Sequence, residues 1–258
     1  MKIPRGPRCL LPVIVAFLAL LLSACSAVNE SSIPSGLTVE EHALAGAPSM
    51  EPLAFTPLEG TMESVLALHA GERLLTIPDD TLLLNGRHAL RLSMGSEELT
   101  ATEFYDSAAG AGYVTLSRGQ AEIYRIDTGM PSPIPGLQGL WSYDDHWVLE
   151  TAYISDDAYG GRLSMDGALL CPPADCVEAF DFQLLAGRPF YFFRNNEEIG
   201  FSYNGRLAAA GYDEVPHYEC CSASVLNPLH AYNMTAFFAR RGGTWYYVEI
   251  GVFGSQAN

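Results

Sequence analysis

Lysine is all but missing from this 258-residue chain: after Lys2 it never recurs. Of 14 basic residues, removing Lys2, Arg5 and Arg8 leaves 11 arginines facing 30 acids, a formal charge of −19 for everything beyond the first few residues. Nucleic acid is excluded as a natural partner, because phosphate binding relies on clustered Lys and Arg and the longest cationic run in the body is Arg240-Arg241. The acidity instead suits solubility in a protein held close to its neighbours. Catalytic signatures are equally scarce. The chain has no GxSxG, P-loop, HExxH or GxGxxG, and Gly200-Phe-Ser-Tyr-Asn-Gly205 has one residue too many for a nucleophile elbow. No cofactor is therefore expected. A long apolar run is missing too. The longest stretch, Leu10 to Leu22, is interrupted by Pro12 and falls short of the roughly 20 apolar residues that a membrane helix needs.

What that short run does fit is export. Lys2, Arg5 and Arg8 make a positive n-region ahead of it, the layout of a secretory signal. It closes in Leu22-Ser23-Ala24-Cys25, which resembles the lipobox of bacterial lipoproteins. The resemblance covers only the N-terminus. It implies a signal peptide over residues 1–24, cleavage before Cys25, a diacylglycerol on the Cys25 thiol with a further acyl chain such as palmitate, and a protein facing outside the cytoplasm. Two or three acyl chains are what stable anchoring requires. Ser26 after the cysteine resembles cargo sent on to an outer membrane.

The remainder reads as a tether and one β-rich domain. Residues 25–60 are rich in Ser, Pro, Gly, Ala and Glu without a sustained period, which predicts a flexible spacer with at most one helical turn at Glu40 to Leu44. Residues 61–258 change to short runs of aromatic and β-branched residues separated by Gly, Asp and Asn, the pattern of strands and turns.

The strands recur as a cassette. Gly139–Tyr143 and His146–Glu150 flank Asp144-Asp145; Phe180–Leu185 and Phe190–Phe193 flank Ala186-Gly187-Arg188; Thr235–Ala239 and Trp245–Glu249 flank Arg241-Gly242-Gly243. Weaker copies are Val65–Leu68 with Leu74–Ile77, and Phe104-Tyr105 with Tyr113–Leu116. Taking Leu75, Tyr113, Trp147, Phe190 and Trp245 as equivalent gives steps of 38, 34, 43 and 55 residues. These are uneven but near the roughly 40 to 50 residues of a propeller blade, so the expectation is an all-β, antiparallel, propeller-like domain, with a β-sandwich as the alternative. Trp147, Phe190 and Trp245 are expected to point into the core. Asn204-Gly205, Asn85-Gly86 and Asp166-Gly167 are expected type I′ turns, because both residues tolerate positive φ.

Four cysteines lie beyond Cys25: Cys171, Cys176, Cys220 and Cys221. In an oxidising compartment they predict disulfides, with local closure of Cys171–Cys176 favoured and the pairing of Cys220 and Cys221 left open. A metal site from Cys171, Cys176, His217 and Cys220 or Cys221 is the competing reading, although the CxxC spacing of structural zinc is lacking. An adjacent-cysteine disulfide makes a stiff platform, so His217, Tyr218, Cys220 and Cys221 form the expected ligand-binding site. The other histidines, His42, His69, His88, His146 and His230, are scattered. Acidic pairs at Asp79-Asp80, Asp144-Asp145, Asp156-Asp157 and Asp213-Glu214 fall at expected turns, where Asp bonds its own backbone.

Two functions follow as expectations. The first is a lipid-anchored binding or scaffold domain for a protein, a glycan or another ligand. The second is a glycosidase-like hydrolase whose dispersed carboxylates converge in a channel.

Overall fold

The computed structural model describes residues 33–48, 82–84, 87–130, 134–155, 158–171, 175–218 and 227–253. The expected signal peptide, Cys25, most of the expected spacer, the strands expected at Val65 and Leu74, the turn expected at Asn85-Gly86, Asp79-Asp80, Asp156-Asp157, Cys220 and Cys221 lie outside those residues. Where the chain is described it is all-β and antiparallel apart from one parallel bridge, Gly129 to Ile154.

The strands run in chain order as β1 (Thr38–Ala43), β2 (Leu82–Leu84), β3 (Arg87–Met94), β4 (Glu97–Asp106), β5 (Ala111–Arg118) and β6 (Ala121–Gly129). Next come β7 (Leu137–Tyr143), β8 (His146–Ser155), β9 (Ala158–Met165), β10 (Ala168–Leu169), β11 (Glu178–Leu185), β12 (Arg188–Arg194) and β13 (Ile199–Tyr203). The last four are β14 (Arg206–Tyr212), β15 (Leu229–Ala231), β16 (Met234–Arg241) and β17 (Thr244–Gly251). Strands β2 to β6 form one meander and β7 to β10 a second, the two joined into a single sheet by the parallel bridge. Strands β11 to β14 form a third meander. In the last sheet β15, β16 and β17 are completed by β1 from the other end of the chain, in the order β1-β17-β16-β15.

The cassettes become hairpins because their turn residues accept left-handed backbone. Asp144-Asp145 (φ 46° and 65°), Asp166-Gly167 (49° and 86°) and Asn204-Gly205 (49° and 75°) take positive φ at both central positions, as type I′ turns require. Each meander then packs its face on the next. Leu99, Val114 and Leu116 meet Leu137, Leu140, Trp147 and Leu149. Val148 and Leu163 meet Ala179, Phe182 and Tyr191. Phe180, Phe192 and Phe201 meet Phe237, Val248 and Ile250. Strand β8 is thus apolar on both faces: Trp147 and Leu149 serve one interface, Val148 the other, following the two-residue alternation of a strand.

Two expectations change. Glu40 to Leu44 is not helical: Glu40 to Ala43 belong to β1, with Val39, Glu41 and Ala43 opposite Ile250, Val248 and Tyr246. Its helical signal was one turn long, too short to outweigh six pairings with an open strand edge. Trp147 and Phe190 are core residues as expected, but Trp245 is only half-buried, with the Arg240 guanidinium 5.9 Å from its ring centroid.

Candidate functional site

The most chemically loaded place in the described residues begins at a backbone irregularity. The β11–β12 pairing skips between Phe180 and Gln183, and Asp181 sits there at φ 60°. A bulge adds one residue to a strand, so Phe180 and Phe182 face opposite interfaces although two apart. It also strips backbone amides of strand partners. Glu150 of β8 replaces them: its Oε1 accepts from Asp181 N (2.7 Å) and its Oε2 from Phe182 N (2.9 Å). Oε1 also accepts from the Tyr218 hydroxyl. Burial pushes the Glu150 carboxyl up to about 7, with the Asp181 charge adding to the rise and the bonds from Tyr218, Phe182 and Asp181 opposing it.

A second buried glutamate ties the same region to β9. Glu178 Oε1 accepts from Gly161 N (2.8 Å) and His217 Nε2 (2.7 Å), and Oε2 from Arg194 Nε (2.9 Å). Gly161 has no room for a side chain, since a Cβ there would come within 2.5 Å of the Phe180 Cβ. The His217 ring spans Glu178 and the Val215 carbonyl oxygen, which meets Nδ1 at 2.6 Å. Both ring nitrogens thus face oxygen atoms, one a backbone carbonyl and the other a carboxylate. The ring also stacks on Phe180, centroids 3.6 Å apart. For Glu178 burial acts to raise the carboxyl, yet the bond and charge of His217, helped by Gly161 and Arg194, hold it below its ordinary value.

The third acid of the cluster, Asp181, accepts from His230 Nε2 at 2.8 Å, and His230 Nδ1 lies 3.2 Å from Thr235 Oγ1. An acid, an imidazole and a hydroxyl in line resemble a nucleophile relay. Here the Thr235 hydroxyl donates to the Leu229 carbonyl at 3.2 Å and the residue is fully buried, so the array is a cross-link between β11, β15 and β16.

Of the expected ligand-binding residues, His217 and Tyr218 do come together, in the segment after β14, but as half-buried partners of Glu178 and Glu150. Tyr218 has φ 55°, and its hydroxyl is held well above the ordinary range by burial and by the neighbouring Glu150 charge. Cys171 and Cys176 are joined in a disulfide, so neither thiol is free for the metal set that would have used them with His217. Glu40, His42 and Glu249 are the residues among those described whose ligand atoms lie within 4.8 Å of one another. They share one face of the last sheet, Glu40 being opposite Glu249 in the β1–β17 pairing, and Glu249 Oε1 accepts from the Tyr247 hydroxyl.

Sequence reading missed Glu150, Glu178 and Asp181. The acids it singled out were turn residues expected to bond their own backbone, and two of them instead reach distant segments: Asp166 bonds His146 Nδ1 (2.5 Å) and Trp147 N (3.2 Å), and Asp213 Oδ2 accepts from Gly242 N (2.7 Å). The available signal was an acid inside an otherwise apolar strand, as in Val148-Leu149-Glu150-Thr151 and Val177-Glu178-Ala179-Phe180. No protein-family model matches the chain, and comparison with curated proteins finds no match to it.

Proposed function

We propose that this chain is a lipid-anchored, extracytoplasmic binding or scaffold domain, held to a membrane through Cys25, with its successive meanders arranged in the manner of propeller blades. Face-to-face packing of consecutive meanders and the completion of the last sheet by the first strand support that arrangement. One observation carries the preference for binding over catalysis. The carboxylate oxygens of Glu150 and Glu178 are taken up by the protein's own donors, from Asp181, Phe182 and Tyr218 and from Gly161, Arg194 and His217. An acid that fastens sheets in this way has no oxygen turned toward a substrate.

The hydrolase reading draws on a single fact, the elevation of the Glu150 carboxyl to about 7, in the range where a general acid operates. A panel of aryl glycosides separates the two. Turnover by the wild type that disappears in Glu150→Gln and Glu178→Gln variants with intact folds overturns the binding reading. The anchor is checked independently: labelled palmitate enters the wild type and not Cys25→Ser, and the variant leaves the membrane fraction.

A further inference from the structure

The described fold begins at one end of two sheets, and among the described residues that end lacks acidic side chains. Just before β1, Ser35 Oγ accepts from Arg206 Nη1 at 3.2 Å, and Thr38 pairs with Gly251, which pairs in turn with Met234. The β15–β16 turn meets the β11–β12 turn where Ala186 N donates to the Tyr232 carbonyl (2.6 Å). The β13–β14 turn meets β12 where Asn204 N donates to the Pro189 carbonyl (2.8 Å). Residues 33–38, 185–190, 203–208, 229–235 and 250–253 therefore share this end. In a chain of 30 acids they contain Arg188 and Arg206 and no Asp or Glu. Both arginines are exposed, as are Tyr232 (71%) and Leu207 (42%). The opposite end of the same sheets carries Glu197, Glu198, Asp213 and Glu214 together with Arg194, Arg240 and Arg241, of which Arg240 pairs with Glu214 and Arg241 with Glu41.

We propose that this acid-free end rests on the anionic headgroups of the membrane that holds the chain; the proposal relies on the lipid-anchor reading of Cys25. Only residues 26–32 separate Cys25 from Ile33, a reach of at most roughly 28 Å when fully drawn out. Within that reach the end from which the chain emerges is the one brought to the lipid. A negatively charged leaflet repels the acidic body and attracts arginines within about a Debye length, roughly 10 Å. An exposed tyrosine suits the headgroup layer, its ring apolar and its hydroxyl wet.

The full lipidated chain is reconstituted into vesicles of phosphatidylglycerol and phosphatidylethanolamine, and amide hydrogen exchange is compared with the same chain in neutral detergent micelles. Amides of 204–206 and 232–233 are expected to exchange about tenfold more slowly on vesicles, with 195–198 unchanged. Arg188→Gln with Arg206→Gln should abolish that protection while the chain stays anchored. Equal exchange at both ends, in a chain whose intact mass includes the acyl groups, overturns the docking face and leaves the anchor standing. A mass without acyl groups overturns the anchor, and sedimentation of that chain with the same vesicles then decides the docking face. Binding that weakens about tenfold in the double variant supports it, and absence of binding overturns it.

Discussion

Glu41 and Arg241, 200 residues apart in the chain, form a two-pronged ion pair: Arg241 Nη1 donates to Glu41 Oε2 at 2.9 Å and Nη2 to Oε1 at 2.6 Å. Both side chains are nearly buried, 14% and 11% exposed. Tyr212 donates its hydroxyl to the same carboxylate, and Arg241 Nη2 also reaches the Ala210 carbonyl. One glutamate of the first strand is thereby fastened to β14 and β16, in addition to the β1–β17 ladder. Strand β1 is thus locked to strands some two hundred residues later, so the last sheet is complete only when β1 is in place.

Glu41→Ala should cost about 3 kcal/mol or more, because removing one partner strands the Arg241 charge away from water. Denaturant melts of the full chain measure this. A loss under 1 kcal/mol would mean that the pair behaves like an exposed one.

How much of this was legible beforehand depends on whether the cause is local. The I′ turns at Asn204-Gly205 and Asp166-Gly167 and the closure of Cys171 on Cys176 need only residues within a few positions of each other, and sequence reading anticipates them. The role of β1 was hidden because its partner, β17, lies some two hundred residues away and its own composition is that of a linker. Glu150 and Glu178 were hidden for a related reason. Their donors come from a bulge in β11, a glycine in β9 and the segment after β14, which adjoin only once the sheets are stacked.

Stacking also ranks the aromatic residues. Phe190 is fully buried, with Phe192 and Phe201 rings at 5.2 and 5.5 Å, so Phe190→Ala should cost about 3 to 5 kcal/mol. Trp245→Ala, at a half-buried position beside Arg240, should cost about 1 to 2 kcal/mol. Equal losses from the two would contradict the burial difference.

The Cys171–Cys176 bond closes a loop with a sequence separation of 5. A loop that small restricts the unfolded chain only modestly, and reduction should lower stability by about 2 kcal/mol. Peptide mapping under non-reducing conditions identifies the pair, and melts with and without reductant give the size. A loss nearer 4 kcal/mol would point to a bridge closing a much longer segment.

The pH dependence of stability has opposite contributions from the two buried glutamates. Glu178 sits below its ordinary value, so its stabilising contribution is present above the unfolded pKa and is lost as pH falls through the folded one. Glu150 sits above, at about 7 against 4.5 unfolded, so its contribution is complete below pH 4.5 and is lost as pH rises through 7. A shift of that size corresponds to about 3 kcal/mol between the two limits. The wild type should therefore become less stable from pH 5 to pH 8. Glu150→Gln cannot ionise and keeps one acceptor oxygen, its NH2 facing one donor as a second donor, so it should be less stable than the wild type at pH 5 and should flatten that descent. Denaturant midpoints at pH 5, 6, 7 and 8 for both proteins are the measurement. Parallel curves would show that the descent comes from other groups and that Glu150 ionises freely within the fold.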